Sequence, residues 1–496
     1  MRHVAARLLA ALALCASFNA RAAPGDLDTA GFGSGFGKVM TSIDTNSQAD
    51  AVALQPDGRI VAAGACSNGN GDRFCLARYL PNGALDTSFN GTGTVITAIG
   101  SSFAAASAVA VQRDGKIVAA GACSSGNQID FCLARYLPDG TLDPGFNGTG
   151  KVNTPLPFDS SVVKAILLQP DGKIVVSGSC FVGGTNHFCV ARYLASGPLD
   201  LTFGSIGATY APIGDAWSDA SAVALQPDGK ILIAGMCRRV GVNAFCVARI
   251  NPDTALFDTA FGFGGTVTTT IAPGVQTVGA LALQADGKIV VGGTCSNGSN
   301  NDFCIARYLA SGTLDTTFNY TGVVISAIGS SEDIAHTLAI QPDGKIVVAG
   351  TCRSGAYYHF CVSRYLGTGE SDYSFPNGRV ITGIGAGDDE ARAIVLQPDG
   401  KMVVAGRCYS ANGIIRNFCL ARYQGGPFEA RNCALDIDGD NQVLATTDIL
   451  ISARIALGMS GNAVLNGITF APHATRTTWP AIRDYLVTQC GMSITP

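Results

Sequence analysis

The chain has 496 residues, 33 basic and 37 acidic side chains and a formal charge of −4. That balance lacks the basic surface a nucleic-acid binder needs, and no apolar run is long enough to cross a bilayer. The length is far more than one small core requires, and the 17 cysteines make disulfide chemistry the first question.

The N-terminus carries Arg2, His3 and Arg7, an apolar run from Leu8 to Cys15, and then Ala20-Arg21-Ala22. This basic, apolar, small-residue order predicts a secretory signal peptide over residues 1–22. Its removal takes three arginines and no acid, leaving 30 basic against 37 acidic residues. A mildly acidic protein, secreted or periplasmic and without a transmembrane segment, is expected.

One phrase then recurs seven times: Gln-Pro-Asp-Gly-Lys-Ile-Val, a Cys, and Phe-Cys-Leu-Ala-Arg-Tyr. Its anchoring glutamines are Gln55, Gln112, Gln169, Gln226, Gln284, Gln341 and Gln397, in steps of 57, 57, 57, 58, 57 and 56. So steady a period means one supersecondary unit repeated. In the second copy Ala108–Val111 and Lys116–Gly121 are apolar runs joined by an Asp-Gly turn. A polar stretch leads to Cys132, Leu133–Leu137 forms a third run, and Lys151–Thr154 reads as a fourth strand. Four short strands with Gly/Asp turns describe an antiparallel meander, and seven such units predict a mainly β, seven-bladed propeller over residues 24–424. Residues 27–40 hold a fourth-strand phrase alone, and the last copy ends at Tyr423 without one. The N-terminal strand is therefore expected to complete the last blade.

The phrase Ala-Leu-Gln-Pro-Asp-Gly-Lys-Ile, with Ala-Arg-Tyr and Leu-Asp-x-x-Phe downstream, resembles the delta-60 repeat of secreted bacterial proteins over about residues 25–424. The resemblance implies a propeller-like fold and defines no reaction.

Fourteen cysteines form one pair per copy: Cys66/Cys75, Cys123/Cys132, Cys180/Cys189, Cys237/Cys246, Cys295/Cys304, Cys352/Cys361 and Cys408/Cys419. Cys433 and Cys490 bracket the C-terminal segment. Export and an even count after loss of Cys15 favour eight disulfides. Each repeat's bridge is expected to staple the hairpin between the second and third strands. Zinc is disfavoured, because the spacing recurs without matching histidines. Each copy also holds an Arg in its third strand (Arg78 and equivalents) and an acid in its fourth-strand phrase (Asp86 and equivalents). Sevenfold recurrence reads these as a buried structural pair rather than an ion-gripping ring.

Function is sought where copies differ. Propeller connectivity gathers the blade-to-blade linkers at one mouth of the central channel, and variable loops on a rigid scaffold are the usual place for binding. The linkers contribute Phe103, Phe158, Trp217, Asp219, Glu332, Asp333, Asp388 and Asp389. Such an aromatic and acidic rim can stack on sugars and accept their hydroxyl protons; the alternative is that the aromatics fill gaps and the acids are solvated. The expectation is a monomeric, non-enzymatic binding or adhesion scaffold for a glycan or surface protein. Two alternatives are a polysaccharide hydrolase or lyase using rim acids, and a purely structural envelope protein.

After a linker at 425–431 the repeat stops. Asp436, Asp438 and Asp440 stand at positions one, three and five of a loop, with the carbonyl of Gln442 at seven and Asp448 beyond. That spacing suits the oxygen shell of Ca²⁺. It resembles the calcium loop of dockerin and EF-hand modules, with a closing Asp at position 13 and Asn441 where Gly is usual. The alternative is a solvated turn capping a helix. A small helical calcium-binding module is expected over 432–492, with a second helix at 478–488 and Cys433–Cys490 tying its ends.

Overall fold

A computed structural model describes residues 23–425, apart from 68, 70, 205, 411 and 412, together with 451, 462–470 and 477–488. The chain divides into two compact units at Gly426/Pro427. The residues of the expected signal peptide and calcium loop, and Cys433 and Cys490, lie outside the described residues.

The first unit is seven four-stranded antiparallel sheets, six of them built in sequence order from the centre outwards. Blade 1 comprises Asn46–Leu54, Ile60–Ser67, Asp72–Tyr79 and Thr94–Thr97. Blades 2 to 6 repeat this order, with inner strands Ala104–Val111, Ser160–Leu168, Ser218–Leu225, Gln276–Leu283 and Asp333–Ile340. Blade 7 has Glu390–Leu396, Met402–Tyr409 and Arg416–Tyr423, and Lys38–Thr41 from the N-terminus supplies its outer strand. The ring is thus closed by the strand the sequence set aside for it, and no blade is left with an unpaired sheet edge at the seam.

The apolar runs are buried on both faces because the cores lie between blades. Between blades 1 and 2, Phe74, Phe89 and Val95 meet Ala104, Ile117 and Tyr136. Between blades 7 and 1, Phe418 and Leu420 meet Ile60 and Tyr79. At the same interfaces a tyrosine hydroxyl of one blade reaches the previous blade's outer strand, as in Tyr136 to Thr97 at 2.8 Å.

The recurrent Arg and Asp form one buried pair per blade, with Nε to Oδ2 distances from 2.7 Å (Arg192–Asp200) to 2.9 Å (Arg422–Asp28). Each guanidinium also lies over the phenylalanine of the fourth-strand phrase, 4.5 Å from the Phe89 ring in blade 1. A further N–H donates to a backbone carbonyl of the next blade, as Arg192 does to Pro252 at 2.6 Å. The last of these, from Arg422 to the carbonyl of Pro81, carries the chain of contacts across the seam. One side chain therefore sets the strand turn and the blade spacing together.

The seven expected pairs all form disulfides: Cys66–Cys75, Cys123–Cys132, Cys180–Cys189, Cys237–Cys246, Cys295–Cys304, Cys352–Cys361 and Cys408–Cys419, with Cα–Cα distances of 5.5–5.9 Å. They staple the hairpin between the second and third strands, as expected, but the later cysteine does not stand at the end of a polar loop as the sequence suggested. Cys75, Cys132, Cys189, Cys246, Cys304, Cys361 and Cys419 instead lie inside the third strands and are fully buried. The second and third strands are longer than the apolar runs suggested. In blade 2, Ile117–Ser125 and Gln128–Tyr136 run through both cysteines and leave only Gly126 and Asn127 to turn. Backbone pairing is indifferent to side-chain polarity, so Ser125 and Gln128 face each other across the hairpin although both read as loop. Cys123 faces Asp130 and Gly121 faces Cys132, so the bridge ties diagonal positions of two paired strands.

Loops of this length gain about 2–3 kcal/mol each on entropic grounds. Seven bridges mark an oxidising, non-cytoplasmic compartment, and among the described residues no helix is long and apolar enough to cross a membrane.

In the second unit the helix Trp479–Thr488 matches the one expected at 478–488, and Asn462–Leu465 forms a short one. Ile451, Val464, Trp479 and Ile482 make a small buried core.

Candidate ligand-binding channel

The repeated phrase builds the channel wall through one backbone device. Every second strand carries a glycine opposite the inner strand: Gly64, Gly121, Gly178, Gly235, Gly293, Gly350 and Gly406. A Cβ at Gly64 would run into the carbonyl oxygen of Gln48, and each of the others meets the equivalent carbonyl. That close approach accompanies a β-bulge, seen as a register shift between Ala49 and Ala51 in blade 1 and at the same place in all seven blades. A bulge adds one residue that pairs with nothing and is re-aimed. The extra residues are Asp50, Ser107, Lys164, Ser221, Gly279, His336 and Arg392, and all seven line a central cavity of about 820 Å³. Two residues later each strand returns to an aliphatic side chain packed into an inter-blade core, such as Val52 or Leu338.

This bulge ring is asymmetric. On blades 7 and 1 an ion network crosses the seam. Arg392 Nη2 donates to Glu390 Oε2 at 2.7 Å, and Arg392 Nη1 stands 3.7 Å from Asp50 Oδ1. Arg407 binds the other oxygen of Glu390 and donates to Gln48 Oε1 at 3.3 Å, while Gln48 Nε2 donates to Asp50 at 3.0 Å. Burial works to raise the Glu390 carboxyl, but Arg392 and Arg407 outweigh it and hold it below its usual range. Asp50 sits above its usual range, because burial there exceeds the help from Arg392. Burial, with Arg392 beside it, pulls His336 down to about 4, so its imidazole is neutral at physiological pH. Gly279 of blade 5 lets blade 6 close in, since a Cβ there would stand 2.6 Å from the His336 carbonyl oxygen.

Blades 2 to 4 differ: Ser107, Lys164 and Ser221 put small side chains on either side of one ammonium. Lys164 is exposed within the channel. Among the described residues it makes no hydrogen bond or ion pair. Every other lysine of the ring is held, as Lys230 is by Asp258 at 2.9 Å and Lys38 by the Gly383 carbonyl at 2.8 Å.

Of the eight linker residues singled out by sequence, Phe103 and Asp219 reach the cavity wall. The Phe103 backbone is pinned by the buried Ser124, whose Oγ accepts from its N–H at 2.9 Å. Asp219 accepts from Ser179 Oγ of blade 3. Phe158 packs edge-on against Tyr210 with ring centroids 5.7 Å apart, so it fills a gap. Trp217 is half-buried in its linker, where its carbonyl accepts from Arg238 N at 2.9 Å. Glu332 accepts from Asn301 Nδ2 at 2.7 Å, and Asp388 from Tyr358 N at 2.9 Å.

Asp333 and Asp389 are fully buried. They accept from backbone N–H groups of their own linkers, Ile328 at 2.6 Å and Ile384 at 2.7 Å, which is where Gln276 bonds Ile271 at 2.9 Å in blade 5. They shape the linker and do not face the channel mouth. Burial raises both carboxyls, and His359 Nδ1 lies 3.6 Å from Asp389. Among the described residues no group of three His, Cys, Asp or Glu side chains gathers closely enough to hold a metal ion.

The model of the Domain of unknown function (DUF5122) beta-propeller matches residues 55–89, 112–146, 169–203, 226–256, 284–318, 341–375 and 397–424. The ring is built of DUF5122 beta-propeller repeats. Each match begins at an anchoring glutamine, and its blade-forming residues are those given above. No curated protein matches this chain in sequence.

Among solved structures, the DUF5122 ring is similar to the polysaccharide lyase Uly1, at 12% identity over 77% of this chain and 91% of that one, with a TM-score of 0.42. It is similar to Sqt1 from Chaetomium thermophilum at 10% identity over 77% and 97%, with a TM-score of 0.37. A third likeness is to Drosophila Plexin A in complex with Semaphorin 1b, at 9% identity over 82% and 88%, with a TM-score of 0.37.

Proposed function

We propose that the protein is a binding or adhesion scaffold acting outside the cytoplasm, secreted or periplasmic, whose ligand is a glycan or a surface protein. One observation carries this reading. The wall residues that differ from blade to blade converge in one channel, whereas the recurrent Arg, Asp, Gly and Cys hold the blades. A concave site of this size, with a few polar groups on a rigid frame, suits ligand capture. The hydrolase or lyase alternative through Asp388 and Asp389 draws little support, because both carboxylates are engaged by backbone N–H groups. Screening the purified protein against arrayed glycans and surface-protein ectodomains is expected to give saturable binding. Ser107→Phe, which fills the open side of the channel, is expected to abolish it. Absence of binding, or binding indifferent to that substitution in a folded protein, would overturn the reading.

The calcium loop is proposed on its sequence alone, with Asp436, Asp438, Asp440, the carbonyl of Gln442 and Asp448 as ligands. Chelator is expected to lower the melting temperature of the C-terminal unit by several degrees, and Asp438→Ala to reproduce the shift without chelator. A melt unchanged in both experiments leaves the loop as a solvated turn.

A further inference from the structure

We infer that the open side of the channel seats an acidic sugar, with its oxyanion on the Lys164 ammonium. This rests on the glycan reading above and narrows it to sugars bearing carboxylate or sulfate. The bulge ring provides one cation with no hydrogen bond or ion pair among the described residues. Arg392 and Arg407 are neutralised by Glu390 and Asp50 across the seam, and the lysines outside the channel are tied to carboxylates or carbonyls. Lys164 alone has no hydrogen bond or ion pair among the described residues and is felt only at longer range by Asp50; it stands on a concave wall where low-dielectric surroundings focus its field toward whatever enters.

The space beside it is unfilled by design of the repeat. The bulge residues on either side of Lys164 are Ser107 and Ser221, and the wall around them is apolar: Ala105, Ala122 and Ile129 of blade 2, with Val162 and Met236 of blades 3 and 4. Phe103 presents an apolar face at the linker end of this space, and Asp219, held by Ser179, presents an acceptor. An apolar face, one cation and one carboxylate acceptor are complementary to a ring with apolar C–H faces, one anionic group and free hydroxyls. A densely charged polyphosphate fits poorly, because Asp50 and Asp219 line the same cavity.

Isothermal titration of the full chain tests this with three probes: a carboxylated oligosaccharide such as oligogalacturonate, its carboxyl-reduced neutral counterpart, and a sulfated oligosaccharide. At least one acidic sugar is expected to bind about tenfold or more tightly than the neutral one, the scale of a charge-assisted hydrogen bond. Lys164→Gln is expected to remove that advantage. Lys151→Gln, the same charge change on an outer strand, is expected to leave it intact. Preference between the carboxylated and sulfated probes assigns the oxyanion. Equal binding of acidic and neutral sugars, untouched by Lys164→Gln, would overturn the acidic assignment while the glycan reading stood. Binding of none of the three would overturn the inference, and the array screen then decides the broader reading separately.

Discussion

A chain lacking residues 24–41 is expected to lose cooperative folding of the ring rather than one strand of it. The deleted segment pairs Lys38–Thr41 with the third strand of blade 7, from Lys38 opposite Ala421 to Thr41 opposite Phe418. It also removes Asp28, whose Oδ2 lies 2.7 Å from Arg422 Nη2, and leaves that buried guanidinium without its acid. Phe32, 2% exposed, leaves the core between blades 7 and 1 and the stack beneath Arg422. Loss of a buried phenylalanine and of one partner of a buried ion pair each cost about 3–5 kcal/mol. Together they approach the roughly 5–15 kcal/mol that holds a whole domain folded. Thermal unfolding followed by circular dichroism should show a broad transition at much lower temperature. A synthetic peptide of residues 24–41 should restore part of the original melt. A truncated chain that melts with the cooperativity and midpoint of the intact protein would show that the seam contributes nothing.

The second large effect is expected at the Arg–Asp pair inside a blade. In blade 5, Arg307 Nε lies 2.8 Å from Asp315, and its guanidinium stacks 4.5 Å from Phe318 and donates to the carbonyl of Gly367 in the next blade. Arg307→Met is expected to destabilise the ring by about 3–5 kcal/mol, since Asp315 stays buried without its partner. Adding Asp315→Leu should recover part of the loss, because the stranded charge is then gone.

The same pairs set an acid limit. Burial works to raise the carboxyls of Asp86, Asp143, Asp200, Asp315 and Asp372, but hydrogen bonds and the neighbouring Arg and Lys outweigh it and hold them below their usual range; Asp258 is lowered chiefly by its hydrogen bond from Lys230. A carboxyl of lowered pKa binds its proton more tightly in the unfolded chain. Its contribution is therefore complete above about pH 4 and is lost as the pH falls through the folded-state value. Melting temperature should drop steeply below about pH 4, and the Arg307→Met protein should show a shallower drop. Parallel curves for the two proteins would mean that the pair carries no acid-dependent stability.

The channel was only half legible in the sequence. The aromatic and acidic residues of the linkers were visible as copy-specific, yet Asp333 and Asp389 turned out to bond their own backbones. Their position, in register with Gln276, holds whatever side chain can accept from a linker N–H, and that role has no signature beyond polarity. The bulge residues were missed although a signal existed. They stand five residues before each anchoring glutamine, where the copies read Asp, Ser, Lys, Ser, Gly, His and Arg inside an otherwise apolar strand. In a regular strand such a column would alternate into a blade face. Only the bulge, with the repeated glycine behind it, turns it toward the centre.

What the sequence determined by itself is the unit and its count. A 57-residue period, short apolar strand runs, Asp-Gly turns, paired cysteines and a stray fourth-strand phrase leave little freedom, because each is a local or near-neighbour requirement. What the tertiary structure alone decided is which variable residues meet. Asp50 and Arg392 lie at opposite ends of the ring's sequence and touch only because the ring closes. Lys164 is a single charged residue in a strand until seven strands surround a common axis, and only there does its lack of a hydrogen bond or ion pair among the described residues acquire meaning. Charge pairing across a closed ring depends on distances that no period encodes.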